Sequence, residues 1–255
     1  MNDAPVVFTT DRRGVATLTL NRPDKRNALG DEMLATMAKG LTSFAQDSAV
    51  RCVLIRAAGK HFCAGGDVSP GAHLITDGPS LPAVCDLLAS FSKPVVAVVQ
   101  GACLGGGLAL AGSCDILIAQ ADAMFAIPEV RLGFPAAPLL PRFIKIFGAR
   151  QLSRLGLTAE RFDADEGRRL GLVHVRADAA NLEAMTAKVV DDLLLGEPNA
   201  QASMKSLVAR LGAGDATAAQ NAELASIFQT LLDSPEGVEG RAAFREKRRP
   251  RWYIE

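Results

Sequence analysis

Gly101-Ala-Cys-Leu-Gly-Gly-Gly107 joins two apolar runs, Pro94-Val-Val-Ala-Val-Val-Gln100 before it and Leu108-Ala-Leu-Ala-Gly112 after it. The first run predicts a buried strand and the second a buried helix. Glycines between a strand and a helix let the backbone approach a ligand with no side chain in the way. They also leave unpaired N–H groups at the positive N-terminus of the helix. That arrangement suits an anion, either a bound phosphate or an oxyanion formed during reaction. The plainer alternative is that these glycines only let helix and strand pack closely.

A second turn of the same kind lies upstream. Cys52-Val-Leu-Ile-Arg-Ala57 predicts a strand, and Gly59-Lys-His-Phe-Cys-Ala-Gly-Gly-Asp67 follows it. Two strand-to-glycine turns in one chain suggest two N–H donors converging on one point. A phosphate-binding P-loop is excluded, because no Gly-Lys-Ser/Thr follows either turn. The spacing of Gly101, Gly105 and Gly107 looks like a dinucleotide turn of short-chain dehydrogenases. That chemistry needs Tyr-x-x-x-Lys, and the single tyrosine is Tyr253, near the end of the chain.

With 255 residues and 49% hydrophobic content, the chain suits one large domain or a core with an appendage. Formal net charge is zero, so nothing global draws it to nucleic acid or to a membrane surface. No apolar run approaches the ~20 residues of a membrane helix, and no signal peptide is evident. The odd cysteine count (Cys52, Cys63, Cys85, Cys103, Cys114) and the lack of Cys-x-x-Cys point to a reducing, cytoplasmic setting. His61, His73 and His174 show no metal-binding spacing, and no Gly-x-Ser-x-Gly elbow occurs. Cys63 lacks an obvious partner base.

Val15 to Leu20 alternates threonine with apolar residues, as a half-buried strand does. Asp31 reads as the cap of a helix with Leu34, Met37, Leu41 and Phe44 on one face. Leu81, Val84, Leu88 and Phe91 mark another helix, and Leu140, Phe143, Ile144 and Phe147 a third. Asp163 and Glu166 have capping-box spacing. Beyond Gly196 the chain reads as helical, with starts near Asn199, Asp215 and Ser234, the last with Pro235 in its first turn. Strand–loop–helix repetition implies an α/β fold. Arg245, Lys247, Arg248, Arg249 and Arg251 form a basic cluster near the end, read first as a solvated tail.

Phe62-Cys-Ala-Gly-Gly-Asp67 and Gly101–Gly107, with Cys114-Asp-Ile116 after them, resemble the crotonase superfamily of enoyl-CoA hydratases and isomerases. Asn21-Arg-Pro-Asp-Lys-Arg-Asn-Ala-Leu29 is similar to that family's CoA-binding stretch. Pro128-Glu-Val-Arg-Leu-Gly133 is similar to its acid/base segment, and Phe244-Arg-Glu-Lys-Arg-Arg-Pro250 to its C-terminal signature. The resemblance implies a spiral of ββα turns over residues 1–195, holding the CoA and oxyanion site. It implies a helical C-terminal oligomerisation region over residues 196–255, in a homotrimer or hexamer.

It further implies an acyl-CoA substrate, no metal, and no cofactor other than the coenzyme A carried by the substrate. A thioester enolate would be held by the backbone N–H groups of Gly66 and Gly106. Lys25, Arg26, Asn27, Ala28 and the backbone of Ala64 would bind the CoA portion, and Lys247 or Arg248 would reach a phosphate, within the chain or across a subunit boundary. Relatives that hydrate carry a Glu three residues after the middle glycine, where this chain has Ala109, and a second one at the place of Glu129. A single recognisable carboxylate, Glu129, favours isomerase-like proton relocation over hydration. Asp67 reads as a brace of the oxyanion turn. The alternatives are a hydratase of enoyl-CoA, branched glutaconyl-type thioesters included, using a replacement for the missing Glu, and a non-catalytic CoA-binding or assembly protein. Phe134-Pro-Ala-Ala-Pro-Leu-Leu-Pro141 replaces a glycine-rich stretch of the relatives and stiffens one side of the expected acyl pocket.

Overall fold

The computed structural model describes residues 4–69, 78–212 and 218–255. The first half alternates strands with helices. Strands β1 (Val6–Thr10) and β2 (Val15–Leu20) form a hairpin, followed by helix α1 (Asp31–Gln46), β3 (Cys52–Ala57) and α2 (Leu81–Ser90). Next come β4 (Val95–Val99), β5 (Ala102–Leu104), α3 (Gly106–Ala111), β6 (Ile116–Gln120) and β7 (Met124–Ala126). The second half holds α4 (Leu140–Thr158), β8 (Phe162–Asp163), α5 (Ala164–Arg169), β9 (Val175–Ala177), α6 (Leu182–Leu195), α7 (Pro198–Leu211), α8 (Ala218–Asp233) and α9 (Pro235–Glu246).

Six strands form one sheet in the order β1-β2-β3-β4-β6-β9, parallel from β2 onward. A second sheet has the order β5-β7-β8, extended by a bridge between Cys63 and Cys103. Successive turns of the chain therefore place one strand in each sheet and then a helix: β4, β5, α3, then β6, β7, α4. This is the expected spiral of ββα turns.

The central strands β3, β4 and β6 of the large sheet are buried on both faces, as near-continuous Val/Ile/Leu runs predict. Val53, Ile55, Val95, Ala97 and Val99 face the core shared with α1, α2 and α3. Cys52, Leu54, Val96 and Val98 face the other way, toward Leu182, Val190 and Leu194 of α6. The alternation follows the two-residue period of a strand.

Local signals resolve as physical chemistry dictates, with one correction. Asp163 caps α5 by accepting from the Glu166 N–H at 2.9 Å. Ser234 caps α9 with Pro235 in the first turn. Asp31, expected as a cap, lies inside α1, and the cap position is Gly30 with no side-chain bond. The helix of Leu140–Thr158 is broken at Gly148, whose backbone is left-handed at φ 67°. The helix start expected near Asp215 lies outside the described residues.

Residues after 196 are helical wherever they are described apart from the short turns and the final tail, and α7 has no fully buried residue. The tail is tied to the body: Trp252 Nε1 donates to Leu195 O (2.9 Å), Tyr253 Oη donates to Asp191, and Arg51 donates to the Trp252 and Gly196 carbonyls. Among the described residues no helix is long and apolar enough to cross a membrane.

Candidate active site

Strands β3 and β4 run parallel, so the loops at their C-terminal ends open on the same edge of the sheet, where α/β folds place ligands. The two glycine turns meet there. Cys63 donates to Ala102 O and Leu104 donates to Cys63 O, lacing the turns together. Gly107 is held so tightly that a Cβ would stand 2.6 Å from the Cys63 Cβ. A Cβ on Gly106 would stand 3.4 Å from the Gly66 nitrogen and 2.6 Å from Leu81 Cδ2.

The donors themselves are presented by the hydrogen-bond pattern. Leu29 bridges Gly66 in parallel fashion. Its N–H goes to Gly65 O and its carbonyl accepts from Asp67 N–H. A parallel bridge uses the neighbours of the paired residue, so the Gly66 N–H points away from the bridge. Gly106 opens α3, and first-turn N–H groups have no partner inside a helix. Both N–H groups thus face outward at adjacent points, at the positive end of a short, fully buried helix.

They border a cavity of about 320 Å³ that also touches Ala64, Gly105 and Glu129. Glu129 comes to it from β7 through Pro128, and opens a single 3₁₀ turn that ends at left-handed Gly133. Its carboxylate lies against Gly105: a Cβ there would sit 3.1 Å from Glu129 Cδ and closer still to Oε1. Gly105 also has φ +48°, a conformation side chains disfavour. Oε2 is buried without a hydrogen-bond partner. Burial pushes the Glu129 carboxyl above the ordinary carboxylate range. A carboxylate so placed can accept and return a proton near neutral pH.

A second acidic residue is among those lining this cavity, Asp31 in the first turn of α1. Sequence reading missed it as a site residue. Nothing local marks it; only the Leu29–Gly66 bridge carries the start of α1 to the oxyanion turn. Ala109 is fully buried and lies behind the cavity lining.

Asp67 braces its turn as expected. It accepts from Ser69 N–H (3.1 Å) and from the Ser69 hydroxyl, and pairs with Arg22 at 3.7 Å. The Ser69 hydrogen bonds hold its carboxyl below the ordinary value. Cys63 has its thiol pushed up to about 12 by burial, and its sulfur accepts from the Gly65 N–H at 3.4 Å. It holds the turn and is no nucleophile.

The residues expected to bind CoA separate into three groups. Lys25 and Arg26 are exposed on a 3₁₀ turn beside the oxyanion loop, and the Arg26 carbonyl accepts from Ala64 N–H at 3.0 Å. Ala28 and Ala64 are half-buried next to them.

Asn27 is corrected: it is fully buried and cannot line a nucleotide. Its amide donates to Ala58 O and His61 O, both at 2.9 Å, and its Oδ1 accepts from Arg22 N–H at 2.8 Å. Its φ of 54° suits the left-handed tolerance of asparagine. Asn27→Ala should therefore cost about 3 kcal/mol, near 1 per lost hydrogen bond. Urea unfolding with an unchanged midpoint would contradict this.

Lys247 caps α9 in left-handed conformation, away from the cavity lining of its own chain, so the phosphate contact expected of it is one made across a subunit boundary. The tail that follows it docks beside Arg51, at the opposite end of β3 from the glycine turn. Of its basic neighbours, Arg248 and Arg251 pair with Glu239, and Arg249 pairs with Glu255 and stacks over Tyr253. Within this chain Arg248, Arg249 and Arg251 are thus occupied by local carboxylates. The part of loop 68–80 considered as a source of another acid, residues 70–77, lies outside the described residues, as does His73. No cluster able to hold a metal occurs among the described residues.

Known proteins resemble this chain over almost its whole length. The sequence profile of the enoyl-CoA hydratase/isomerase family matches residues 10–254. A mevalonyl-coenzyme A hydratase of Aspergillus fumigatus is 31% identical, over 93% of this chain and 91% of its own. A 2,3-dehydroadipyl-CoA hydratase of Escherichia coli is 31% identical over 96% and 97%. The solved structure of Pseudomonas aeruginosa AtuE superposes with a TM-score of 0.90 at 36% identity, covering 98% of this chain and all of that one.

Proposed function

The chain belongs to the enoyl-CoA hydratase/isomerase family, an acyl-CoA enzyme of lyase or isomerase type, and from that premise we propose that it relocates a proton on an enoyl-CoA through a thioester enolate. The observation that carries this reading is the buried, unpartnered carboxylate oxygen of Glu129 beside the outward N–H groups of Gly66 and Gly106. Glu129 takes a proton from C2 of a 3-enoyl thioester. The electron pair moves into the carbonyl, and the two N–H groups receive the developing oxyanion. Glu129 then returns the proton at C4, leaving the double bond between C2 and C3. Lys25 and Arg26 approach the CoA phosphates, with the Ala64 backbone toward the adenine.

One observation favours a second reading, hydration. Asp31 is a second acidic residue at the same cavity, and two carboxylates turned toward one substrate can hold a water and deliver a proton. Relatives named as hydratases are consistent with it. The test is turnover of matched 2-enoyl- and 3-enoyl-CoA by wild type, Glu129→Gln and Asp31→Asn. Proton relocation predicts that 3-enoyl-CoA is the better substrate and that Asp31→Asn retains most activity. Efficient hydration that collapses in Asp31→Asn would replace it with the second reading.

Five free cysteines support a reducing, cytoplasmic setting. Exposed Phe228 and Phe244 in the C-terminal helices support a homotrimer or hexamer that covers them.

A further inference from the structure

We infer that the acyl group accepted by this cavity is an uncharged hydrocarbon, and that thioesters whose acyl chain ends in a carboxylate are rejected. The inference deepens the acyl-CoA reading and rests on it. The walls are Leu34, Leu81, Leu132, Phe134, Leu139 and a set of prolines. Every ionisable group among the described lining residues is an acid, Asp31 and Glu129. No lysine, arginine or histidine is among them.

Three cations of neighbouring segments have partners elsewhere, and Lys25 and Arg26 stand exposed outside the lining. Arg142 pairs with Asp86, Arg131 donates to the Thr158 carbonyl at 3.0 Å, and Arg22 pairs with Asp67. The stretch 70–77, outside the described residues, contains no Lys or Arg in its sequence, and His73 is its one basic group.

A distal carboxylate entering this space would lose its hydration with no lysine, arginine or histidine among the described lining residues to replace it. It would also meet Glu129, which is already buried without a partner for Oε2. Like charges in a poorly solvated site repel strongly. Pro135 and Pro138 fix the backbone of the wall, so the loop cannot easily turn a distant cation inward. A longer chain gains none either. The adjoining groove of about 360 Å³ shares Glu129, Pro135 and Ala136 with the cavity, and is lined further by Ile127, Ile144 and Leu152. Its described lining also lacks a cation. A hydrocarbon chain, by contrast, gains from every wall it touches.

The test compares trans-2-hexenoyl-CoA with 2,3-dehydroadipyl-CoA. They share chain length and differ at the far end, methyl against carboxylate. The expected result is a kcat/KM ratio of about 100 or more in favour of hexenoyl-CoA. Leu132→Arg, at a lining position that is 55% exposed and tolerant of a charge, should narrow the ratio about tenfold. An unchanged ratio in that variant would remove the discrimination from this cavity and overturn the assignment. Equal or better use of 2,3-dehydroadipyl-CoA by wild type would overturn it directly. If wild type turns over neither thioester, calorimetry with hexanoyl-CoA and adipoyl-CoA decides. Tighter binding of hexanoyl-CoA upholds the hydrocarbon preference while the enolate chemistry fails, and equal or tighter binding of adipoyl-CoA overturns the preference. Binding of neither would sink both the acyl-CoA reading and this inference.

Discussion

Glu129→Gln is expected to lower turnover by ~10²–10⁴-fold while leaving thioester affinity nearly unchanged. The two effects separate because the thioester oxygen is held by backbone N–H groups of Gly66 and Gly106, which the substitution does not touch. Wild-type kcat/KM should rise with pH through a value above the ordinary 4.5 of a glutamate, as the carboxyl gives up its proton to become the base. The variant should lack that limb. Stability should move the other way. A carboxyl whose folded pKa is raised contributes stability below its unfolded pKa, and that contribution is lost as pH rises through the folded value. Above that raised folded value, wild type therefore carries a buried charge that the Gln variant does not. Glu129→Gln should melt at a higher temperature there, and the difference should close as pH falls toward 4.5. A variant that melts lower at every pH would show that Glu129 makes a stabilising contact.

Gly106→Pro should reduce kcat by ~10²–10³-fold relative to Gly106→Ala, the usual cost of one oxyanion donor. Both variants add a Cβ at a point 2.6 Å from Leu81 Cδ2, the end of a flexible side chain that can move aside. Only proline removes the N–H. The first helical position tolerates proline, so α3 should persist, and circular dichroism should match between the two. Equal activity of the two variants would mean that the Gly106 N–H does not carry the oxyanion.

The fold was legible in the sequence because its decisive elements are extreme. The run Val95–Val99 is buried along its whole length, and the helix after the glycines is buried at all six residues. The strands of the second sheet were not legible. β5, β7 and β8 span only two or three residues each, too short to show a period. They exist because each is laced to the next turn of the spiral.

The site divides in the same manner. Gly66, Gly106 and Glu129 were legible through the family resemblance of the motifs that carry them, and the structure brings them to one cavity. Asn27 sits within the right motif, yet it acts inward, through three hydrogen bonds that no sequence pattern distinguishes from ligand contacts. Asp31 reads as a helix cap in sequence, and only the long-range bridge between Leu29 and Gly66 carries it to the cavity. In the basic run around Lys247, Arg248 and Arg249 pair with Glu239 and Glu255, partners that no local pattern marks.

The central claim is that a thioester enolate forms in this cavity and that Glu129 moves its proton. The most direct measurement is deuterium exchange at the α-carbon of a saturated acyl-CoA such as hexanoyl-CoA in D₂O, followed by mass spectrometry. It reads enolate formation alone and requires neither isomerisation nor hydration. Wild type should wash deuterium into C2, and Glu129→Gln should lose that exchange by ~10²-fold or more while still binding the thioester. Absence of exchange in wild type, or exchange that survives in Glu129→Gln, would contradict the account.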